Sequence, residues 1–286
     1  MRDENSRQSR RQFLATASAS ALVMAAHRHF AWAAPLLDES HSPARIVSLR
    51  LRTAAPLKKM KEFYGKTLGL PVLAEGSTEI TIGGGATPIT FVKARPEHGA
   101  PFYHFAFNIP QNKIRGAREW QLERTELLPV FPRLRDERYP DDVVHFRNWN
   151  AHSVFFLDPA ENIVEYIARH DLKNDADGSF TKKDILHASE IAFVVDDVSA
   201  MAVDLQRTFN LSQYRTGGKS FRALGDEHGL LLVFERGRKL SLDYKVPKLA
   251  DVFPTQVNIR SAAGQEYSTS NFPYEINTIQ ESLNTR

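Results

Sequence analysis

The chain has 286 residues, of which 42% are hydrophobic, 25% charged and 10% aromatic, and its formal net charge is +3. This is the composition of a globular protein of about two domains, and it excludes disordered, collagen-like and coiled-coil chains. The absence of cysteine excludes disulfides, thiolate metal sites and a cysteine nucleophile, so any metal must be held by His, Asp or Glu.

Residues 1–33 have the pattern of an export signal. An apolar run of small residues at 15–26 follows a charged start, and Ala31-Trp32-Ala33 is a small-residue cleavage site. The apolar run is shorter than the ~20 residues that a membrane span requires. The pair Arg10-Arg11 with Phe13-Leu14 resembles a twin-arginine signal.

That resemblance implies export in the folded state by the twin-arginine machinery, with a metal already loaded in the cytoplasm. We therefore expect a periplasmic or secreted protein, cut near Ala33, with no stable membrane span in its mature form. Residues 1–33 hold five arginines and two acidic residues, so their removal leaves equal numbers of basic and acidic side chains. No nucleic-acid partner is expected, because no cluster of Lys and Arg is apparent.

A strand–helix–strand pattern begins after residue 45. Residues 46–52 alternate as in a strand, and residues 56–68 carry apolar side chains at helical spacing up to Gly69. Three short β-like runs follow, at 71–74, 79–82 and 89–92, and Gly83-Gly84-Gly85 is expected to form a turn.

The same order recurs twice. The second copy has these predicted elements: a strand at 102–109, a helix at 114–122, and strands at 152–157 and 163–168 joined by a turn at 158–162. The third copy has a strand at 190–195, a helix at 198–209, and strands at 220–224 and 230–234 on either side of a turn at 225–229. Possible strands at 256–260 and 274–278 are expected to cover an exposed sheet edge.

The predicted organisation is thus a set of repeated modules. It comprises a signal peptide (1–33), a linker (34–44), βαβββ module one (45–100), module two (101–171), a linker (172–186), module three (187–245) and a C-terminal tail (246–286).

Two segments carry a family resemblance. Phe63–Leu70 is similar to the first-helix signature of the vicinal oxygen chelate superfamily, and Phe155–Glu165 is similar to its signature between strands three and four. This superfamily includes glyoxalase I, extradiol dioxygenases and bleomycin- or fosfomycin-resistance proteins. The resemblance implies an α+β fold in which paired βαβββ modules form curved mixed sheets, and it says little about the reaction.

The resemblance also implies a divalent metal site. His104 matches the family's ligand position on strand one of module two, and Glu165 matches the position on strand four. The corresponding positions of module one hold Ile46 and Phe91, or Thr90 if the register slips. Neither Ile nor Phe can ligate, so a four-ligand site of the glyoxalase I type is not expected. The third ligand would be His152, which would give two His and one carboxylate, or Glu190 if modules two and three face each other.

The register of the second module's hairpin decides between these ligands. With a five-residue turn, Phe155 faces Glu165 and His152 points to the other side; a one-residue bulge reverses this. His228 and His145 are candidate acid–base groups. Arg169 could pair with Glu165, but Arg169-His170-Asp171 is interpreted as a charged exit from the sheet.

The segment 123–151 is an unusually long connection, as lids and substrate walls often are. Phe146, Trp149 and Tyr139 within it are candidates for an aromatic wall.

These features predict a metal-dependent enzyme of ring-cleavage (extradiol-type) or lyase chemistry, acting on a small molecule with neighbouring oxygens. The cofactor would be one divalent ion, Fe, Mn, Zn or Ni. Two alternatives are a metal-free protein of the same fold that sequesters small molecules and a structural envelope protein. Because three modules are an odd number for a paired architecture, a homodimer is a possible source of the missing half.

Overall fold

The computed structural model describes residues 44–215, 217–240, 248–260, 266–269 and 271–279, which all belong to one compact unit, Ser42–Arg286. The predicted signal peptide at 1–33 lies outside the described residues, so twin-arginine export and a periplasmic location stay predictions. Among the described residues, none of the helices has both the length and the apolar character needed to span a membrane.

Strands dominate the described residues. They are β1 (Arg45–Thr53), β2 (Val72–Glu75), β3 (Glu79–Gly84), β4 (Thr87–Lys93), β5 (His104–Ile109), β6 (Val144–Phe146), β7 (Ala151–Leu157), β8 (Ile163–Arg169), β9 (His187–Val195), β10 (Phe221–Asp226), β11 (Gly229–Glu235), β12 (Thr255–Arg260), β13 (Glu266–Ser268) and β14 (Tyr274–Thr278). The helices are α1 (Leu57–Lys61), which continues as a π-helical turn over Glu62–Thr67, α2 (Ile114–Leu122) and α3 (Val198–Phe209).

Local sequence accounts for these elements. In β1, Leu49 and Leu51 are buried and alternate with arginines that reach solvent, which is the pattern of a strand with one covered face. Helix α3 begins where the Asp197 side chain accepts a hydrogen bond from the backbone N–H of Ala200 at 2.9 Å and ends at Asn210 in the left-handed conformation.

Two turns are tighter than the sequence predicted. Gly83 and Gly84 belong to β3, so the expected glycine turn shrinks to Gly85 and Ala86. The expected five-residue turn around His228 contains only Glu227 and His228, because Asp226 already pairs with Gly229.

The strands form two seven-stranded sheets whose strands pair in the same way. The first has the order β13-β14-β12-β1-β4-β3-β2 and the second β10-β11-β9-β5-β8-β7-β6. In each repeat the first and last strands run parallel, namely β1 with β4, β5 with β8 and β9 with β11. This confirms the predicted α+β architecture of repeated modules.

The C-terminal tail repeats the same pairing in shortened form. Strand β12 runs parallel to β14 and antiparallel to β1. The tail therefore supplies, within one chain, the sheet partner that module one lacked. The homodimer stays a prediction, but the fold does not need it to complete the first sheet.

Modules two and three share the second sheet, in which β5 pairs antiparallel with β9. The sequence left this pairing open. One large hydrophobic cluster joins residues from both sheets and all three helices, including Leu51, Phe107 and Phe193, each at most 1% exposed. The opposite face of the second sheet carries the polar cluster described next.

Candidate metal centre

Three neighbouring strands of the second sheet bring three ionisable side chains together. Ala106 on β5 lies opposite Glu165 on β8 and also opposite Glu190 on β9. His104 lies two residues before Ala106, so its side chain emerges on the same face of β5. The methyl group of Ala106 leaves open the space between the two carboxylates.

The three side chains are close and mostly buried. The Nε2 atom of His104 lies 3.5 Å from Glu165 Oε2 and 3.8 Å from Glu190 Oε2. One ligand atom from each residue lies within 4.8 Å of the others, and the two carboxylate side chains are each only 2% exposed. The two predicted ligands His104 and Glu165 thus face the same side of the sheet, together with Glu190.

A backbone carbonyl fixes the orientation of the imidazole. His104 Nδ1 lies 3.1 Å from the carbonyl oxygen of Ile163, and because a carbonyl can only accept, Nδ1 carries the proton. The lone pair of Nε2 is then directed toward the carboxylates. Burial lowers the pKa of His104, which favours the neutral imidazole. Histidines that bind metals are oriented in the same way, by a hydrogen bond from the other ring nitrogen.

One buried cation offsets part of the negative charge. Arg169 is 1% exposed; it donates a short hydrogen bond to Glu190 Oε1 and a second one, at 3.1 Å, to Asn108 Oδ1. Glu165 has no such partner, and its Oε1 atom is buried without a hydrogen bond among the described residues. Burial, and next the charge of Glu190, raise the pKa of Glu165.

These observations fit a divalent cation. Two carboxylates face one guanidinium, so with both carboxylates ionised one negative charge would be uncompensated, and burying an unpaired charge is costly. A divalent cation would offset that charge and keep Glu165 ionised. An imidazole lone pair and carboxylate oxygens are suitable ligands for Zn, Fe, Mn or Ni. The residues that would hold the ion are His104, Glu165 and Glu190.

The cluster lies in a cavity of about 360 Å³. Its walls are mainly apolar, and the aromatic contributions come from Phe131, Phe146, Trp149, Phe155, Phe221 and Phe234. Phe146 and Trp149 therefore line the cavity, as expected for an aromatic wall, but Tyr139 does not; its ring lies against His152, with centroids 4.2 Å apart. Arg133, Arg238 and Lys239 add positive charge to the lining.

The structure does not bring His152 to this cluster. Phe155 pairs with Glu165 across the hairpin and His152 pairs with Ala168, so His152 points to the opposite face of the sheet. The hairpin has no bulge that would reverse this. The set with two histidines and one carboxylate is therefore replaced by one histidine and two carboxylates, the alternative that required modules two and three to pair.

The two predicted acid–base histidines also lie elsewhere. His145 on β6 pairs with His152 and shares its face of the sheet. His228 lies in the β10–β11 turn beside His187, with ring centroids 6.0 Å apart. Neither residue is part of the cavity lining, so neither is positioned to exchange a proton with a molecule bound there.

The sequence suggested Arg169 as a possible partner of Glu165, but not its pairing with Glu190. The interpretation of Arg169 as part of a charged exit from the sheet is wrong, because its guanidinium is buried against Glu190. The signal was available, since Arg169 is four residues after Glu165 and alternation in a strand places both on one face. In module one, Ile46 and Phe91 are buried core residues, in line with the absence of ligands there.

Comparisons with solved structures identify proteins of similar fold. A putative dioxygenase from Bacillus subtilis superposes with a TM-score of 0.51 at 13% sequence identity, over 83% of this chain and 86% of that one. A glyoxalase I variant from Zea mays superposes with a TM-score of 0.46 at 13% sequence identity, over 77% of this chain and 76% of that one. A glyoxalase/bleomycin resistance protein/dioxygenase from Nocardioides superposes with a TM-score of 0.32 at 21% sequence identity, over 47% of this chain and 88% of that one.

The sequence matches no family model, and no curated protein matches it either. The structural likeness to the putative dioxygenase, together with the strand pairing, therefore shows the fold alone. The chain shares the fold of that protein: strand–helix–strand modules repeat along the chain and contribute their strands to two mixed seven-stranded sheets.

Proposed function

We propose that the protein is a metal-dependent enzyme that acts on a small molecule with two neighbouring oxygen atoms, by ring-cleavage or lyase chemistry. The observation that carries this proposal is the convergence of His104, Glu165 and Glu190 in an aromatic cavity. Buried ionisable groups that are held together in a cavity are more typical of functional sites than of a structural core.

The chain's own residues prepare the site. The Ile163 carbonyl keeps the proton on His104 Nδ1 and so keeps Nε2 free to ligate. Arg169 holds one oxygen of Glu190 and leaves the other directed toward His104. A divalent ion held by these three side chains would act as a Lewis acid toward the substrate oxygens.

The cavity lining suggests the character of the substrate. Aromatic walls favour a flat, apolar body, and a volume of about 360 Å³ fits a molecule with one or two rings. The guanidinium of Arg238 lies 5.6 Å from the ring centres of Phe221 and Phe234, and burial lowers its pKa. An anionic group on the substrate would compensate this charge.

A metal-free binding protein is the second candidate. Its support is that a protonated Glu165 could donate to His104 Nε2, 3.5 Å away, while Arg169 neutralises Glu190. The cluster would then be electrically balanced without an ion, and the cavity would only sequester its ligand.

Metal content distinguishes the two candidates. The protein is purified from the cytoplasm without chelator, loaded in turn with Fe²⁺, Mn²⁺ and Zn²⁺, and analysed by elemental mass spectrometry. The variant Glu165→Gln keeps the side-chain shape but removes the charge, so we expect it to hold one equivalent less per chain than the wild type. The matched control is Glu75→Gln, which changes a surface glutamate that is paired with Lys61.

The control should retain the wild-type content. Equal metal content in Glu165→Gln and in the wild type, with both proteins folded by circular dichroism, would contradict the enzyme proposal and favour the metal-free binding protein.

A further inference from the structure

A second cluster of potential ligands lies outside the cavity, on the opposite face of the second sheet. It consists of Asp136, His145 and His152, and we call it the Asp136 cluster. His145 on β6 and His152 on β7 are cross-strand partners. Asp136 comes from the long connection that precedes β6, directly after the 3₁₀ turn Pro132–Leu134.

Asp136 lies as close to each imidazole as one metal ligand lies to the next. Asp136 Oδ2 lies 3.1 Å from His152 Nε2 and 3.3 Å from His145 Nδ1. In a tetrahedral zinc site, bonds of about 2.0–2.1 Å place neighbouring ligand atoms roughly 3.3 Å apart. The rings of His145 and His152 stack, with centroids 4.4 Å apart and planes 10° apart. Because an ion lies in the plane of each imidazole that binds it, one ring has to turn before both can bind the same ion.

Two further contacts point to a ligand. His145 Nδ1 is buried and makes no hydrogen bond, although the carboxylate oxygen is only 3.3 Å away, so its polar edge is unsatisfied. His152 Nδ1 lies 2.7 Å from His170 Nε2. A proton on His152 Nδ1 would be donated to His170 and would leave Nε2 as the ligating nitrogen, as is usual for a metal-bound histidine.

The arginine at this cluster does not block access. The guanidinium of Arg138 bonds both oxygens of Asp136, at 2.7–3.2 Å, but its side chain is 72% exposed. Its shortest contact runs from Nη2 to Oδ2, at 2.7 Å, which is the oxygen that faces the imidazoles. An ion would replace this contact, and the exposed guanidinium would keep Oδ1, which lies 3.1 Å from Nε.

We propose that Asp136, His145 and His152 form a second metal site, which takes Zn²⁺ or a divalent ion of similar ligand preference, with water as the remaining ligand. Two imidazoles and one carboxylate are typical ligands for Zn²⁺. The site joins the loop that holds Asp136 to β6 and β7. Phe131, Arg133 and Leu134 of the same connection line the cavity, so the ion would clamp one cavity wall to the sheet. This proposal does not depend on the proposed function.

Zinc titration of the full chain tests the proposal. The Glu165→Gln background weakens the cavity site, and isothermal titration with Zn²⁺ then reports the Asp136 cluster. We expect one equivalent to bind in this background, and we expect added His145→Gln to lower the affinity at least tenfold. His98→Gln, which removes a histidine from the surface turn Pro96–His98, is the control and should bind as the background does.

Hydrogen exchange supplies a second readout. Zn²⁺ should slow amide exchange in residues 123–143 of the background but not of the His145→Gln variant. Asp136→Asn is a further variant, which retains the side-chain shape, and it should also lose the effect. Zinc binding that is unchanged by both His145→Gln and Asp136→Asn would overturn the proposal, as would a background that binds no zinc. If only the cavity site fails to bind metal, the wild type should bind a single equivalent of zinc. Glu165→Gln should then bind the same equivalent, and His145→Gln should not.

Discussion

At the scale of single residues, the candidate metal centre depends on one small side chain between two buried carboxylates. Ala106 is fully buried and is flanked by Glu165 and Glu190 on the adjacent strands. Two ionised carboxylates with oxygens within 4.8 Å of each other repel, and burial removes their hydration. Nearby cations offset this cost. Arg169 supplies one positive charge, and the geometry leaves room for a second cation.

A separate residue makes folding stability depend on pH. His187 is 8% exposed, and burial, reinforced by the charge of Arg45 and by His228, lowers its pKa to about 4. The unfolded chain, with a histidine pKa of about 6.5, therefore binds more protons than the folded chain between pH 6.5 and 4. The stability that the neutral His187 contributes is present above pH 6.5 and is lost as the pH falls through this range.

We expect the free energy of unfolding to fall by up to about 3 kcal/mol from this group between pH 7 and pH 4, at about 1.4 kcal/mol per pKa unit. In His187→Gln this part of the pH dependence should disappear. Urea unfolding at several pH values, with chelator present, measures how the free energy of unfolding changes with pH in the wild type and in His187→Gln. His98→Gln is the control for the loss of a histidine. A variant slope equal to that of the wild type would show that His187 titrates normally.

The sequence could predict which residues form the site only where alternation along a strand shows which side chains share a face. His104 and Glu165 were placed on one face because the family resemblance implies parallel first and last strands. Glu190 remained an alternative, because its position depends on which modules pair. Asp136 could not be predicted at all, since it lies in an irregular connection with no periodicity to indicate which way it points.

At the scale of elements, the tight turn between β3 and β4 fixes how the first sheet meets the segment that leads into β9. Gly85 has a φ of +61°, and a Cβ atom there would lie 2.2 Å from the carbonyl oxygen of Leu186 and 2.3 Å from that of Ile185. The neighbouring N–H of Ala86 donates to the Leu186 carbonyl at 2.8 Å. Only glycine permits both the backbone conformation and this close approach.

Gly85→Ala should therefore destabilise the protein by more than about 3 kcal/mol, because backbone strain of about 1–2 kcal/mol is added to a steric clash. Gly237→Ala is the matched control, since Gly237 also lies in a turn, has a φ of +78° and has no atom within 4 Å of its Cβ position. It should cost only the strain. Denaturant midpoints of the two variants measure the difference, and equal losses would mean that the contact with Leu186 is unimportant.

Element positions were predicted well because hydrophobic periodicity is a local property. Helix α3 was predicted with the bounds that the structure has, Val198–Phe209. The short strands β6 and β13 were not predicted, since three residues are too few to establish a period. The sequence left two registers open for the hairpin of β7 and β8, because a single bulged residue decides whether His152 and Glu165 lie on the same face.

At the scale of the whole molecule, the C-terminal tail joins the two sheets. Tyr274 on β14 is 2% exposed; its hydroxyl accepts from the N–H of Val194 at 3.0 Å and donates to the carbonyl of Val194 at 2.6 Å. Val194 belongs to β9 of the second sheet. One hydroxyl group thus satisfies two backbone groups of the other sheet.

Tyr274→Phe should cost about 2–4 kcal/mol, because both backbone groups of Val194 would remain buried without partners. Tyr267→Phe is the control, since its hydroxyl donates to the Met201 sulfur, at 3.3 Å, which is a weak acceptor. Its loss should cost less than about 1 kcal/mol. Guanidinium unfolding compares the two. A loss in Tyr274→Phe no greater than that in the control would refute the assigned role of the tail.

A repeated strand–helix–strand pattern could be predicted from the sequence, but the parallel pairing within the tail and the pairing between modules could not. Which strands become neighbours is decided by contacts between residues far apart in the chain, and a repeat pattern carries no information about them. The predicted role of the tail, to cover an exposed edge, agrees with the pairing of β12 with β1.

The central claim is that His104, Glu165 and Glu190 bind one divalent ion. Anomalous diffraction from crystals of the zinc-loaded protein, recorded on both sides of the zinc absorption edge, tests this most directly. We expect an anomalous peak about 2.0–2.2 Å from His104 Nε2 and from one oxygen of each glutamate. The contrary result is density with no such peak and with Glu165 hydrogen-bonded to His104 Nε2.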